Sequence, residues 1–158
     1  MEADRWGLRL ATADDADEVA RLLHNFNTEF TTPSPGSAVL AARLRVLLGG
    51  DATVAILAGT PAVGLALVTL RPNVWYDGPV ALLDELYVVP DLRGRGIGSA
   101  ILEQLIAVAR GRRVGLVEIN VDEADVDAQR FYERHGFRAT ETTDSTDRSF
   151  YYWRELTT

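Results

Sequence analysis

Hydrophobic residues recur at three- and four-residue spacings in four stretches of the chain, which is the period of a helix with one buried face. These stretches predict helices over about 12–26, 37–48, 97–109 and 125–135. Thr12 and Asp15 resemble a capping box at the first start, and Ser37 is a predicted N-cap for the second helix. Gly136 followed by Phe137 predicts a Schellman ending after the fourth helix.

Alternating or continuous apolar runs, bounded by turn residues, predict seven strands. They cover about 8–12, 52–58, 62–70, 80–89, 114–121, 138–142 and 149–156. The last two form a predicted hairpin around a polar turn, and Gly64 inside the third strand is expected to mark a bulge. Strands 80–89 and 114–121 are joined by a crossover helix, so we expect them to run parallel and side by side.

The loop between strand 80–89 and the third helix is rich in arginine and glycine. Three of the six residues from Arg93 to Gly98 are glycine. Such a loop leaves backbone N–H groups uncovered at a helix N-terminus, where partial positive charge and unpaired donors suit phosphate. The residues therefore predict an anion site.

Three interpretations of this loop compete. A dinucleotide fold requires G-x-G-x-x-G, but Ser99 replaces the last glycine, although Glu118 lies about 20 residues on, where a ribose-binding acid is expected. A P-loop requires a lysine, and all 16 basic residues are arginine. The last interpretation is a glycine turn that only lets helix and strand pack closely.

The composition excludes several kinds of catalytic and metal-binding site. The absence of cysteine excludes disulfides, thiolate metal sites and a cysteine nucleophile, and the absence of lysine excludes Schiff-base chemistry. His24 and His135 lie far apart without ligand spacing, so we predict no metal. No apolar run reaches 18 residues and no apolar region follows the charged start, so we expect a cytoplasmic protein without membrane insertion.

Charge is unevenly distributed along the chain. The net charge of −7 argues against a nucleic-acid partner. Residues 91–113 contain five arginines and two acids, a net +3, so the rest of the chain carries −10. This distribution suits an anionic cofactor at the basic segment and a cationic acceptor elsewhere.

Two motifs carry a resemblance to a known family. The stretch L-Y-V-V-P before R-x-x-G-x-G at Arg93 to Gly98, and A-Q-R-F-Y-E-R-H-G-F at Ala128 to Phe137, resemble the recurrent motifs of the GNAT superfamily of N-acetyltransferases. The resemblance implies one domain over 1–158 with an α/β (α+β) fold. It implies a mixed, mostly antiparallel sheet of about seven strands with a splayed parallel central pair, flanked by about four helices.

The resemblance also implies an acyltransferase that uses acetyl-CoA. Backbone groups of Leu86, Tyr87 and Val88 are expected to pair with the pantetheine arm as an added strand, and the Val88 N–H to polarise the thioester carbonyl. The pyrophosphate is expected to bind donors of the seven residues Arg93, Gly94, Arg95, Gly96, Ile97, Gly98 and Ser99.

The second motif adds further expected contacts. Ala128 and Phe131 are expected to line the cofactor, and Tyr132 either protonates the departing thiolate or packs on the cofactor as an amphipathic aromatic. Asp125 lies where the family often has asparagine. Because a carboxylate cannot donate as an amide does, N-capping is the alternative role for Asp125.

Without a cysteine or a recognisable serine triad, direct attack of a primary amine on acetyl-CoA in a ternary complex is the simplest route. The amine must first lose a proton, and Glu85 is favoured over Asp84 as the base. Adjacent strand residues point to opposite faces, so only one of them meets the substrate unless a bulge intervenes. Either residue is alternatively a strand-end carboxylate that bonds neighbouring backbone.

Other functions stay open at this point. A non-catalytic acyl-CoA sensor or interaction module would keep the loop without turnover, and a nucleotide-binding protein would bind NAD. The acceptor is a small molecule or a peptide amine. Aromatic residues from Phe150 to Trp153 either pair across a homodimer or pack the sheet.

Overall fold

The computed structural model of the chain describes residues 5–140, 146–148 and 150–156. Its elements in chain order are β1 (Leu8–Leu10), α1 (Ala16–Glu29), α2 (Ser37–Leu48), β2 (Thr53–Ala58), β3 (Gly64–Arg71), β4 (Val80–Val88), α3 (Ile97–Gly111), β5 (Leu116–Ile119) and α4 (Val126–Arg134). Short 3₁₀ turns, Ala13–Asp15 and Pro90–Leu92, precede α1 and follow β4. None of the described helices is long and apolar enough to span a membrane. The chain divides into two compact units, Met1–Ile119 and Asn120–Thr158.

The first unit contains one five-stranded sheet in the order β1-β2-β3-β4-β5. The first four strands pair antiparallel, and β4 pairs parallel with β5, as the crossover helix predicts. The mixed, mostly antiparallel sheet and the four helices are therefore confirmed. This sheet is not the parallel, doubly wound sheet that the dinucleotide interpretation requires.

Helices cover both faces of the sheet. Side chains that stand opposite each other on neighbouring strands share a face, and Leu65 of β3 stands opposite Tyr87 of β4. Both are buried against residues of α1 and α2, so this is the α1–α2 face. On the other face α3 lies so close to β3 that a Cβ at Gly64 would come within 2.7 Å of Ile101 Cδ1. Gly64 therefore marks a close helix approach, and the predicted bulge at this residue is wrong.

Helix boundaries agree with the sequence pattern to within a few residues. Thr12 and Asp15 form the predicted capping box, with the Thr12 N–H donating to Asp15 Oδ2 at 2.8 Å. At α2 the N-cap is Gly36, at φ 98°, and Ser37 is the first helical residue without a side-chain cap bond. The predicted N-cap is therefore wrong by one position, because Gly36 adopts a backbone conformation that other residues disfavour.

The predicted seven-stranded sheet is wrong, because the described residues form five strands and the predicted C-terminal hairpin adds none to them. In the described part of the chain only a single antiparallel bridge, Thr140 to Arg148, remains of it, and residues 150–156 form no strand. Residues 141–145 and 149 lie outside the described residues. The aromatic run from Phe150 to Trp153 does not alternate with polar residues, so it defines no buried strand face.

The second unit contains α4, whose two ends are both built from local hydrogen bonds. Asp125 is the N-cap and accepts from the Ala128 N–H at 3.0 Å. At the other end Gly136 has φ 86°, and the Phe137 N–H donates to the Tyr132 carbonyl at 3.0 Å. The Tyr132 and Phe137 rings pack with centroids 5.6 Å apart. This is the predicted Schellman ending with its hydrophobic contact.

Candidate active site

The second half of β4 has an open backbone edge. Pairing between β4 and β5 runs from Val80 to Leu83 and ends there, whereas pairing between β3 and β4 continues to Val88. The pairing ends there because β5 ends at Ile119, and the splay of the parallel pair stays a prediction. In the described chain, β4 beyond Leu83 pairs with a strand on one side only, which leaves an edge that accepts an added strand.

The Val88 N–H points to this open edge. Successive backbone N–H groups of a strand point to opposite sides, and the Val89 N–H donates towards β3, to the Val63 carbonyl, at 2.9 Å. The Val88 N–H and carbonyl consequently face away from β3. Leu86 shares this orientation because it lies two residues earlier.

The glycine loop leads from β4 into an uncapped helix. Gly94 has φ 73° and Gly96 has φ 88°, a left-handed backbone that favours glycine. No side chain caps α3, and its first helical bond runs from the Ala100 N–H to the Gly96 carbonyl at 3.0 Å. A Cβ at Gly94 or Gly96 would meet no atom within 4 Å. The loop therefore combines donors at a helix start with open space, which fits a diphosphate.

The remaining loop residues divide by side-chain role. Ile97 is 1% exposed and belongs to the core, so only its backbone faces the loop. The Arg93 guanidinium binds Glu29 and the Val88 carbonyl, at 2.8 and 2.9 Å. In the described residues, the Arg95 side chain forms no ion pair or hydrogen bond.

A bulge brings Asp84 and Glu85 to one face of the sheet. The register between β3 and β4 shifts after Leu67, which stands opposite Glu85, and Asp84 is the extra residue on β4. Thr69, two residues after Leu67 and on the same face, donates from Oγ1 to Asp84 Oδ2 at 2.6 Å. Both carboxylates are therefore on the α1–α2 face.

Both carboxylates have raised pKa values, for partly different reasons. Burial raises the pKa of Glu85, and the neighbouring charge of Asp84 raises it further. Burial also raises the pKa of Asp84, partly offset by the hydrogen bond from Thr69. A carboxylate with a raised pKa is a stronger base near neutral pH.

Sequence reasoning missed the partners that orient these groups. Thr69 and Glu29 lie far along the chain from the residues they bind, and no local pattern marks either. Glu118, the residue considered for ribose binding, forms an ion pair with Arg71 at 2.9 Å. These partners become visible only in the folded structure.

The residues predicted from the second motif belong to the second unit. Tyr132 is buried and Phe131 half-buried, and their rings pack edge to face with centroids 5.1 Å apart. Ala128 is half-buried, and its N–H is used by Asp125 in the cap. The first unit thus brings together the carboxylates, the β4 edge and the loop, and the second unit contains Asp125, Ala128, Phe131 and Tyr132.

Comparison with known proteins identifies the fold and its relatives. The model of the acetyltransferase (GNAT) family matches residues 19–137. The crystal structure of a presumed acetyltransferase from Arthrobacter sp. FB24 is 54% identical and superposes with a TM-score of 0.89, covering 94% of this chain and 95% of that one.

Two curated relatives match more distantly. Mycothiol acetyltransferase of Beutenbergia cavernae is 31% identical over 136 residues, which cover 82% of this chain and 44% of the relative. A peptidyl-lysine N-acetyltransferase of Salmonella typhimurium is 34% identical over 65 residues, which cover 41% of each chain. The chain thus spans less than half the length of these relatives.

Proposed function

The chain belongs to the acetyltransferase (GNAT) family, and from this premise we propose that it is an acetyl-CoA-dependent N-acetyltransferase. It acetylates a primary amine of a small molecule or peptide, by direct attack in a ternary complex. The observation that carries the proposal is the open β4 edge between a bulge with two carboxylates and the uncapped start of α3.

The chain's own groups have distinct tasks in this proposal. The backbone groups of Leu86 and Val88, which face the open edge, bind the pantetheine arm, whereas those of Tyr87 between them face β3. The loop from Arg93 to Ser99 holds the pyrophosphate through backbone donors and the Arg95 guanidinium, while the Arg93 side chain is used within the protein.

Acetyl-CoA supplies an acetyl group activated as a thioester, and coenzyme A leaves as the thiol. In the overall reaction, the amine nitrogen bonds to the acetyl carbon, the carbon–sulfur bond breaks, and the amine gives up a proton. We assign that proton to Glu85, with Asp84 as a neighbouring charge that keeps Glu85 basic. Protonation of the leaving thiolate by Tyr132 is proposed on the family resemblance, and Asp125 is proposed to act only as an N-cap.

The test follows free thiol released from acetyl-CoA in the presence of single amines. The panel includes small primary amines and a lysine-containing peptide, since one relative is named for peptidyl-lysine. Glu85→Gln is expected to lower kcat/KM about 100-fold, the lower range for loss of a general base. Glu103→Gln, on the exposed side of α3, is the matched control and is expected to behave as wild type.

Two results would contradict the proposal. Binding of acetyl-CoA without thiol release on any amine would favour an acyl-CoA sensor. A rise of the melting temperature with NAD and none with acetyl-CoA would favour nucleotide binding.

A further inference from the structure

Glu29, the last residue of α1, forms a two-pronged ion pair with Arg93 of the glycine loop. Arg93 Nη1 lies 2.8 Å from Glu29 Oε2 and Arg93 Nη2 lies 2.8 Å from Glu29 Oε1. The side chains are 42% and 25% exposed. This paired geometry is the strongest and most directional form of a carboxylate–arginine contact.

The Arg93 guanidinium makes two further contacts, with the Val88 carbonyl and the Tyr87 ring. Arg93 Nε donates to the Val88 carbonyl at 2.9 Å, and the guanidinium carbon lies 5.6 Å from the centre of the Tyr87 ring. Tyr87 is buried and packs edge to face on Phe26 of α1, with centroids 5.1 Å apart. Arg93 therefore connects the end of α1 to the open end of β4.

The position of Glu29 at the C-terminal end of α1 is electrostatically unfavourable without a nearby cation. The C-terminus of a helix carries partial negative charge, so an acid in the last turn is unfavourable there. α1 has no basic residue in its last turn. Arg93, from another part of the chain, supplies the compensating cation.

We propose that Glu29 is a positioning residue for coenzyme A binding: it keeps the Arg93 guanidinium on the Val88 carbonyl and so holds the glycine loop beside the β4 edge. This inference rests on the proposed function of the site. It assigns the Arg93 side chain to the architecture of the site, and leaves phosphate binding to backbone donors and Arg95.

The direction in which Glu29→Gln changes the affinity for coenzyme A separates this role from direct phosphate binding by Arg93. Glu29→Gln removes the carboxylate that holds Arg93. If Arg93 served the phosphates directly, its release would leave coenzyme A affinity unchanged or increase it. If Glu29 positions the loop, the Kd of coenzyme A and the KM of acetyl-CoA increase about fivefold, the scale of one partly exposed ion pair. The kcat stays close to that of wild type.

A charge exchange provides a second test. Glu29→Arg combined with Arg93→Glu restores opposite charges, but a carboxylate at position 93 cannot donate to the Val88 carbonyl. We expect this double variant to have the melting temperature of wild type, while its affinity for coenzyme A stays below that of wild type. Recovery of the wild-type affinity would show that an ion pair between positions 29 and 93 is sufficient without the contact to the Val88 carbonyl, and it would overturn the proposal.

Asp17→Asn is the matched control, because it also removes an ion pair of α1, the one with Arg45 at 2.8 Å. Its Kd for coenzyme A is expected to equal that of wild type, measured by titration calorimetry at one ionic strength. If wild type binds coenzyme A and Glu29→Gln binds it with equal affinity, this inference alone is overturned. Wild-type protein without affinity for coenzyme A would overturn the proposed function as well.

Discussion

Asp84 and Glu85 are consecutive residues whose carboxylates nevertheless reach the same face of the sheet. The bulge at Asp84 makes this possible, and Thr69 holds the Asp84 carboxylate there. Two like charges at close range raise the cost of ionising either group. Burial raises the pKa of Glu85, and the charge of Asp84 raises it further.

We expect Asp84→Asn to move the acid limb of the kcat/KM profile to lower pH. The charge of Asp84 raises the pKa of Glu85, so its removal lowers that pKa. Glu85 then remains ionised, and able to accept a proton, at lower pH. The measurement is kcat/KM against pH with one amine for both proteins, so that the titration of the amine contributes equally.

Asp51→Asn, at an exposed acid before β2, is the control and should keep the wild-type profile. An acid limb that moved upward, or did not move, would show that Asp84 does not set the basicity of the proton acceptor.

At the scale of single residues, the chain predicts what depends on near neighbours. The left-handed Gly136 at the end of α4 and the N-cap at Asp125 follow from short motifs. The partners Thr69 and Glu29 do not, because they lie 15 and 64 residues from the groups they bind. The sequence alone does not predict the bulge either, since the bulge depends on the register between two strands.

At the scale of elements, the two best predicted features are a helix start and a helix end. Thr12 with Asp15, and Gly136 with Phe137, satisfy backbone groups a few residues away. The two strands predicted after Phe137 would have to pair with each other along their length, and their polar and aromatic residues do not alternate. Bonds to near neighbours explain why the first two predictions are confirmed, whereas the two additional strands are not found.

Asp15 joins β1 to the start of α1, and we expect Asp15→Asn to lower the free energy of unfolding by about 1 kcal/mol at pH 7. Two bonds from Arg9, at 2.7 and 2.8 Å, lower the pKa of Asp15 to about 2. A depressed carboxyl pKa stabilises the fold above the unfolded-state pKa, and the contribution is lost as the pH falls through the folded value. Urea unfolding should show a larger difference from wild type at pH 7 than at pH 3.

Asp14→Asn tests the neighbouring acid, whose carboxylate accepts no hydrogen bond among the described residues. It should change the unfolding free energy by less than Asp15→Asn at both pH values. A difference for Asp15→Asn that did not shrink on acidification would point to packing in place of the ion pair.

At the scale of the whole molecule, the proposed function requires an acidic protein to bind an anion. The net charge of −7 repels coenzyme A at long range, and salt screens that repulsion. The basic segment provides the local attraction, but Glu29 neutralises Arg93. Among the described loop side chains, Arg95 is then the cation without an internal partner.

We therefore expect Arg95→Gln to weaken coenzyme A binding about fivefold at low ionic strength and to reduce the salt dependence of the Kd. Loss of the local cation leaves the backbone donors, whose short-range bonds respond less to salt. Arg110→Gln is the matched control: it lies in the last turn of α3, about 20 Å along the helix from the loop, beyond a screening length of about 10 Å at 0.1 M salt. Titrations at several salt concentrations should converge for wild type and Arg95→Gln at high salt. Equal slopes for these two proteins would instead mean that the anion is held by dipoles and amides alone.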